Sequence, residues 1–397
     1  MTATTDALVI GGGLHGLSAA LQLARRGASV ILLERARIGR HASGASAAGV
    51  RTLGRARAEL PVSLAAMEMW HNIEGLVGDH CGFHADGQLK VAETEAELDT
   101  LRAGVNRLRQ DGFTHEEMVD AAELRALVPA LAPHCVGGVI ARRDGAADPL
   151  RTLAAFLRVV RAAGVVVHEG IGVAQLERRE GVWRAGDGSS WFEAPLLVNA
   201  AGAWAGQIAA MAGDDIPIGT KASMMIVTER IAPFILPTVG ATGRKLSFKQ
   251  TSQGTLLIGG GQQGRPDLEN ESTEIDARLL AKSAAAAVAL FPSIGRLRIV
   301  RSWSGLEAKT SDNIAIAGLS PSAPGLMHLF GFSGHGFQLV PALGVAAAEL
   351  LLDGRSSVDL SGLVPQRLMQ PVPAASPRYP NVHNYGECNA PIFDSDE

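Results

Sequence analysis

The chain has 397 residues, of which 47% are hydrophobic and 19% are charged, a composition typical of a folded protein of two or three domains. Thirty-six basic and 40 acidic residues leave a formal charge of −4, which argues against general nucleic-acid binding. The cysteines, Cys81, Cys135 and Cys388, form no CxxC pair, so we expect neither a disulfide framework nor a metal site.

The first forty residues follow the pattern of a nucleotide-binding βαβ unit. An apolar run at 7–10 leads into the glycine-rich turn 11–16, a helical pattern continues to Gly27, and a second apolar run ends at Glu34. In such a unit the glycines admit the pyrophosphate of a dinucleotide and let the helix pack on the strand. A carboxylate at the end of the second strand binds ribose hydroxyls and repels a 2′-phosphate. We therefore predict a dinucleotide site that disfavours NADP.

The segment after Glu34 favours FAD over NAD. An NAD-binding domain normally continues into another βαβ crossover, whereas residues 35–51 form a loop of small residues before a helical pattern at 56–75. Such a loop can bring backbone N–H groups and hydroxyls against a pyrophosphate and a flat ring. Its Ser43-Gly-Ala-Ser-Ala-Ala-Gly49 stretch resembles the loop signature of the D-amino-acid oxidase, glycine oxidase and sarcosine oxidase family of flavoproteins.

Four further stretches resemble the same family, in the same order along the chain. They are Asp144-Gly-Ala-Ala-Asp-Pro149 with the helix and strand patterns up to residue 168, the segments 196–204 and 303–318, and Gly331-Phe-Ser-Gly-His-Gly-Phe337. Together they predict an α/β fold with a discontinuous Rossmann-type FAD-binding domain of residues 1–75, 136–215 and 301–360. Residues 76–135 and 216–300 would form a second, α+β substrate domain on an antiparallel or mixed sheet. The proline-rich residues 361–397 are predicted to be an extended C-terminal tail.

The resemblance implies that FAD is held without a covalent bond, because Gly305 occupies the position of the cysteine that attaches the flavin in monomeric sarcosine oxidases. The predicted FAD contacts lie in the glycine-rich turn, in the loop after Glu34 and in the later motifs. They are Gly11, Gly13, Leu14, His15, Gly16, Glu34, Arg35, Ser43, Ala45, Ser46, Gly49, Val50, Val173, Ala201, Gly202, Trp204, Gly305, Gly331, Ser333, Gly334, His335, Gly336 and Phe337. His15 has the alternative of an exposed helix start, and Trp204 that of a core ring.

An amino-acid substrate needs a cation for its carboxylate, and an arginine fork is the best one. Arg51, at the end of the small-residue loop, is the first candidate, with contact to the flavin as its alternative role. Further candidates for substrate binding are Arg55, Lys249, Trp303, His335 and Gln338. No catalytic residue is assigned, because amine oxidation by a flavin needs no strong base, and the sequence holds neither an HExxH helix nor a GxSxG elbow.

One departure from the monomeric sarcosine oxidases favours a dehydrogenase over an oxidase: Leu257 occupies the position of their oxygen-activating lysine. In a second departure, Gln338 occupies the position of a lysine that binds carboxylate in those oxidases. The end of the small-residue loop, Ala47-Ala-Gly-Val-Arg51, is similar to the loop of the β-type subunits of multi-subunit opine, proline and hydroxyproline dehydrogenases. This resemblance implies partner subunits that accept the electrons on a second flavin or an iron–sulfur cluster, since three scattered cysteines cannot hold a cluster here.

Two alternative functions stay open. One is an oxygen-using sarcosine, glycine or D-amino-acid oxidase, and the other is a flavin tailoring enzyme that acts on a carrier-bound substrate. The first residues lack the basic region of a signal peptide, and the apolar run 339–352 is too short to span a bilayer. We therefore expect a cytoplasmic protein without an integral membrane segment.

Overall fold

The computed structural model describes residues 2–369, which form ten helices and three main sheets. The strands of these and two smaller sheets are β1 Thr2–Thr4, β2 Ala7–Ile10, β3 Val30–Glu34, β4 Gly49–Val50, β5 Gln88–Ala92, β6 Glu117–Asp120, β7 Gly137–Ala141, β8 Gly145–Ala146, β9 Val166–Glu169, β10 Gln175–Arg179, β11 Val182–Gly186, β12 Trp191–Ala194, β13 Leu196–Asn199, β14 Gly219–Arg230, β15 Thr238–Ala241, β16 Ser247–Gln250, β17 Thr255–Gly259, β18 Arg265–Asp267, β19 Ser272–Glu274, β20 Ile299–Lys309, β21 Ile316–Leu319 and β22 Leu326–Phe330. The helices are α1 Leu14–Arg25, α2 Leu60–His71, α3 Ile73–Val77, α4 Glu95–Gln110, α5 Ala121–Leu127, α6 Pro149–Ala162, α7 Ala205–Met211, α8 Ala277–Leu290, α9 Val340–Asp353 and α10 Gln366–Met369.

The predicted βαβ unit lies at the centre of a six-stranded sheet of order β21-β22-β13-β2-β3-β9. Its strands are parallel except for the edge strand β21. Helices α1, α2, α6 and α9 share one core on one face, and the four-stranded sheet β1-β12-β11-β10 covers the other face. Because both faces are covered, the central strands are continuous apolar runs, the pattern from which they were predicted.

The second large sheet has eight strands in the order β20-β14-β17-β16-β15-β5-β7-β6, all antiparallel except for the β15–β5 pair. One face packs on helices α5 and α8, where the rings of Phe248 and Phe291 stack with their centroids 4.3 Å apart. The other face turns toward the six-stranded sheet. The predicted mixed sheet of a second unit is therefore present.

Local sequence signals fix where several helices begin. The side chains of Thr94, Asp120, Asp148 and Asp276 each accept a hydrogen bond from the first turn of the helix that follows. Pro149 occupies the first position of α6, where its missing N–H leaves no hydrogen bond unmade. The Asp-Pro motif singled out in the sequence is thus the start of a helix.

Strand pairing corrects two of the predicted boundaries. Strand β7 lies inside the segment 136–215, and most of β20 lies inside the segment 301–360, both predicted for the FAD-binding domain. Both strands instead pair within the eight-stranded sheet. An apolar run alone does not show which sheet it joins, because pairing depends on partners far away in the sequence.

The predicted extended tail is wrong for its first residues. A 3₁₀ turn at Ser361–Leu363 and the short helix α10 follow α9, and the Leu363 side chain is fully buried. Arg367 Nε donates a hydrogen bond to Asp312 Oδ2 at 2.9 Å, which ties this segment to the body of the protein. Residues 370–397 lie outside the described residues. None of the helices between residues 2 and 369 combines the length and the apolar character needed to cross a membrane.

Candidate active site

A cavity of about 1010 Å³ lies between the six-stranded and the eight-stranded sheets. The turn 11–16, the loop 39–51, the turn 200–204 and the loop 332–337 line one side, and strands β5, β14, β15 and β20 contribute the other. A volume at the upper end of the range for ligand pockets is enough for a large ligand together with a small one. The segments that carried the sequence motifs therefore meet at one site.

The glycines of the first turn are required by close backbone contacts. Gly11 has a φ of +111°, and a Cβ there would lie 2.2 Å from the carbonyl oxygen of Ala200. A Cβ on Gly16 would lie 1.9 Å from the carbonyl oxygen of Gly11. This packing directs the start of α1 into the cavity wall, where Leu14 N–H donates to Ser43 Oγ at 3.0 Å. The first N–H groups of a helix lack partners within the helix, so this turn can bind an anion.

Glu34 is held at the cavity wall by two backbone donors. Its Oε2 accepts a hydrogen bond from Gly12 N–H at 2.7 Å, and its Oε1 accepts one from Ala36 N–H at 2.8 Å. Burial is the main cause that raises the pKa of the carboxyl group, and the two N–H donors act against it. The carboxylate is therefore fixed in place at the end of β3, where a ribose hydroxyl could reach it.

His15 presents an unsatisfied acceptor at the cavity. Its ring stacks on Phe332 at a centroid distance of 3.7 Å, and its Nε2 lies 3.1 Å from the carbonyl oxygen of Gly336, an arrangement that requires Nε2 to carry the proton. Burial lowers the pKa of His15 to about 3, so the imidazole is neutral. Its buried Nδ1 has no partner among residues 2–369. The alternative of an exposed helix start is therefore wrong, and the site fits a ligand with hydroxyl donors.

A buried ion network supports the loop 331–337 from below. His335 Nε2 lies 3.1 Å from Glu59 Oε1, and Arg55 Nη2 donates to the His335 carbonyl oxygen at 2.8 Å. Arg55 Nη1 lies 3.6 Å from Glu59 Oε2. Burial raises the pKa of Glu59, but the charges and hydrogen bonds of His335 and Arg55 outweigh it and lower the pKa to about 2. The network fixes a loop that contains a left-handed Gly334 (φ +96°).

A second buried network holds the turn 199–202. Asp214 Oδ2 lies 2.7 Å from His328 Nε2, and both side chains are fully buried. His328 Nδ1 lies 3.3 Å from the amide nitrogen of Asn199, whose Oδ1 accepts a hydrogen bond from Ala201 N–H. These contacts fix the backbone that lines the cavity beside the glycine-rich turn.

The family model for DAO-type FAD-dependent oxidoreductases matches residues 6–350. The chain belongs to this DAO family. It is 27% identical over 368 residues to one of the subunits of an opine oxidase from Rhizobium meliloti, an alignment that covers 90% of this chain and 95% of that protein. It is also 27% identical to the beta subunit of a sarcosine oxidase from Rhizobium meliloti strain 1021, with 88% and 85% covered.

Two solved structures have the same fold as this DAO-family chain. The L-proline dehydrogenase from P. horikoshii superposes with a TM-score of 0.86 at 26% identity, covering 93% of this chain and 99% of that one. The glycine oxidase from Geobacillus kaustophilus gives a TM-score of 0.84 at 23% identity over 94% of this chain and 100% of that one. The predicted family, fold class and FAD cofactor are thereby confirmed.

The residues of the cavity fit FAD. The anion-binding turn suits a pyrophosphate, Glu34 suits a ribose, and the unpartnered Nδ1 of His15 can accept a hydrogen bond from a hydroxyl group. All but three of the predicted FAD contacts line the cavity. Which of them contacts which part of FAD stays a prediction.

The three exceptions have structural roles behind the wall. Gly16 packs on the Gly11 carbonyl group, and Val50 is fully buried in a strand pair. A Cβ on Gly331, at a φ of +73°, would lie 2.7 Å from the Thr310 methyl group. These positions shape the cavity wall without lining it, so direct contact with FAD at these three positions stays a prediction.

Of the predicted substrate-binding residues, Arg51 and His335 line the cavity, whereas Arg55 and Gln338 do not. The Arg55 side chain is 1% exposed and belongs to the network below the loop 331–337. Gln338 is fully buried, and its Nε2 donates to the carbonyl oxygen of Ser63 at 2.7 Å. Neighbouring polar groups hold both side chains in the interior, so direct contact with the substrate stays a prediction that this geometry does not support.

Trp303 and Lys249 do not line the cavity either. The Trp303 indole N–H donates to the Ala45 carbonyl oxygen at 2.9 Å, so the ring anchors the small-residue loop. The Lys249 ammonium is buried, and its one hydrogen bond among residues 2–369 is a long one, 3.5 Å, to the Ala147 carbonyl oxygen. Substrate binding by Trp303 and Lys249 therefore stays a prediction that the cavity lining does not support.

Sequence reasoning missed the residues that the eight-stranded sheet adds to the cavity. Lys90, Met224, Met225, Thr238 and Gln263 are among those that line it. Strand β5 carried a usable signal, because Lys90 alternates with the apolar Leu89 and Val91, and alternate residues face opposite sides of a sheet. The same pattern could have placed Lys90 on the side of the sheet that faces the site.

Proposed function

We propose that this chain uses FAD to oxidise the C–N bond of a small amino acid or secondary amine, and that it passes the electrons to a carrier rather than to oxygen. The observation that carries the proposal is Arg51, a cavity-lining guanidinium that forms no ion pair within 4.0 Å between residues 2 and 369. An unpaired arginine fork beside a flavin site suits a carboxylate of the substrate. Relatives named for opine, sarcosine and proline oxidation support the same class of substrate.

The reaction requires the protein's own side chains mainly to bind and orient the substrate. Oxidation removes a hydride from the carbon and a proton from the nitrogen, and it leaves an imine, which water hydrolyses. Bound FAD supplies the hydride acceptor. The chain must hold the amine with this C–H bond toward the cofactor, bind the carboxylate and exclude water. The N-terminal end of α9, directly after the loop 331–337, adds a positive dipole end near the site.

The environment of Leu257 supports a dehydrogenase. Leu257 is buried, and it places no charge at the position that a lysine occupies in the similar monomeric sarcosine oxidases. Its partner on the neighbouring strand is Lys249, whose ammonium group bonds to Ala147 and does not line the cavity. In the monomeric sarcosine oxidases the lysine at this position assists the activation of oxygen, and neither Leu257 nor Lys249 places a cation there.

The names of the relatives, two of which are parts of multi-subunit enzymes, support a role as the catalytic β-type component of a larger enzyme. In this role, partner subunits that carry a second flavin or an iron–sulfur cluster would take the electrons. Purification of the chain from its native source tests this part: we expect further subunits to co-elute with it. A single chain that shows full activity with a physiological acceptor would contradict it.

Anaerobic mixing with a substrate panel tests the proposed reaction. D- and L-amino acids, N-methyl amino acids, proline derivatives and opines should include compounds that bleach the flavin absorbance near 450 nm. Turnover with an artificial electron acceptor should be at least about tenfold faster than hydrogen peroxide formation in air. If no amine bleaches the flavin, the function is wrong; if peroxide forms as fast as the acceptor is reduced, the protein is an oxidase.

The variant Arg51→Met tests whether Arg51 binds the carboxylate of the substrate. Because a hydrogen-bonded charge pair contributes about 1.5–3 kcal/mol, we expect the substrate KM to rise roughly 10- to 100-fold. Arg51 lines the cavity without an ion-pair partner, so the variant should keep its bound FAD. A KM that stays within about twofold of the wild-type value would show that Arg51 does not bind the carboxylate.

A further inference from the structure

Several cationic side chains line the cavity, and two of them, Arg51 of the small-residue loop and Lys90 of β5, act on each other electrostatically. Leu89 and Val91 pack into the core behind the eight-stranded sheet, and Lys90 between them therefore projects from the opposite face. The charge of Arg51 acts directly on Lys90, which places the two groups in one electrostatic environment. Neither cation forms an ion pair within 4.0 Å anywhere in residues 2–369.

The carboxylates nearby are already engaged. Glu116 acts on Lys90 from a distance greater than an ion pair, and its Oε1 accepts a hydrogen bond from Gly54 N–H at 2.7 Å. Asp144 accepts three hydrogen bonds, one from the N–H and one from the hydroxyl of Thr52 and one from the N–H of Leu53. Both acids therefore hold the backbone of the loop, and they leave the cationic groups free to bind a ligand.

Two partly desolvated cations that face one cavity repel each other. Burial, together with the charge of Arg51, lowers the pKa of Lys90 to about 8, so the amine is still mostly protonated at neutral pH. Buried charges without partners are unfavourable, and an anionic ligand relieves both the desolvation and the repulsion. Within residues 2–369 the Arg51 guanidinium donates one hydrogen bond, from Nη1 to the Leu53 carbonyl oxygen, so most of its fork is available.

We propose that the substrate is a secondary amine with a carboxylate on each of its two arms, one bound by Arg51 and the other by Lys90. The proposal rests on the proposed amine oxidation and names its substrate class. A planar guanidinium can hold one carboxylate through two parallel hydrogen bonds, and this pairing neutralises the charge of that carboxylate. The ammonium, a point charge on a flexible stem, then pairs with the second carboxylate. The amine and its reactive C–H bond lie between the two.

A pair of non-oxidisable analogues tests the second carboxylate by binding alone. In thiodiacetate a thioether sulfur replaces the amine between two carboxylates, and (methylthio)acetate keeps only one of them. Binding to the FAD-loaded protein is followed by the change in flavin absorbance on titration. We expect the wild-type protein to bind thiodiacetate about 10- to 100-fold more tightly, the effect of one charge-assisted pair. Lys90→Met should abolish this ratio and leave the affinity for (methylthio)acetate within about twofold.

Two further variants make the result specific. Lys90→Arg should keep most of the preference for the dicarboxylate, because it retains the charge. Lys282→Met removes an exposed lysine of α8 that does not line the cavity, and it should change neither affinity. Equal binding of the two analogues to the wild-type protein, or an equal loss of both in Lys90→Met, would overturn the two-carboxylate proposal alone. If the wild-type protein binds neither analogue and oxidises no amine, both the two-carboxylate proposal and the proposed function are wrong.

Discussion

Replacing Lys249 with methionine should stabilise the protein at neutral pH. The native fold buries this ammonium on β16, and its one hydrogen bond within residues 2–369 is 3.5 Å long. Burial lowers the pKa of Lys249 from its usual 10.5 to about 8. At about 1.4 kcal/mol for each pKa unit, a protonated Lys249 costs the native state up to roughly 3 kcal/mol at pH 7. Methionine has a similar length and carries no charge.

The effect must depend on pH in a defined direction. An unfolded lysine keeps its proton up to about pH 10.5, whereas the native one releases it near pH 8, so the penalty is complete below pH 8. Between these two values the unfolded state binds more protons, and native stability rises with pH. The gain from Lys249→Met should therefore be largest below pH 8 and shrink toward pH 10.5.

Urea unfolding of the FAD-saturated protein, followed by tryptophan fluorescence, measures this gain at several pH values. Lys282→Met, an exposed position on α8, is the control and should change the free energy of unfolding by less than about 0.5 kcal/mol at every pH. A Lys249→Met variant that is less stable than wild type near neutral pH would refute the reasoning. A large rise in substrate KM would show instead that Lys249 binds the substrate.

Two other substitutions test the supports of the cavity. Gly11→Ala places a methyl group 2.2 Å from the Ala200 carbonyl oxygen, at a φ that alanine rarely adopts. The purified variant should therefore lose most of its bound FAD, which is measured as a fall in absorbance at 450 nm relative to 280 nm. A variant with full flavin content would contradict this contact. Asp214→Asn breaks the buried pair with His328 and should cost about 2–4 kcal/mol of unfolding free energy at pH 7. Burial raises the pKa of Asp214, but its hydrogen bonds, above all the one with His328, outweigh burial and lower the pKa from 3.8 to about 2. The stability advantage of the wild-type protein over the variant should therefore fade as the pH drops from 3.8 to 2. A difference in unfolding free energy that stays constant over this range would exclude the carboxylate charge as its source.

Much of the cofactor site could be predicted because its determinants are local. The Gly11 and Gly16 contacts form within one strand–turn–helix unit, and the loop 331–337 bears its signature in consecutive residues. Such turns depend on backbone conformations that few residues adopt, so the sequence records them directly. The same holds for the Asp-Pro start of α6.

The part of the cavity wall that the eight-stranded sheet contributes was predicted poorly, because its determinants are distant in sequence. Arg55 and Gln338, 283 positions apart, satisfy each other in the interior, and no local pattern distinguishes such a polar pair from a pair of ligand-binding residues. Lys90 reaches the cavity only because β5 joins the same sheet as β14 and β15. A sequence pattern shows the two faces of a single strand, but it does not show the strand order that decides which face lines the cavity.

The contact between His15 and the loop 331–337 also bears on how the protein is made. His15 and Gly336 are separated by 321 positions, so a ribosome has released the nucleotide-binding turn long before the segment that completes its wall exists. Contacts of such high sequence separation close slowly. A ligand that binds only the completed site stabilises the native state by mass action. The amount of this protein in a cell should consequently follow the supply of riboflavin, with chains made under vitamin limitation lost to proteolysis.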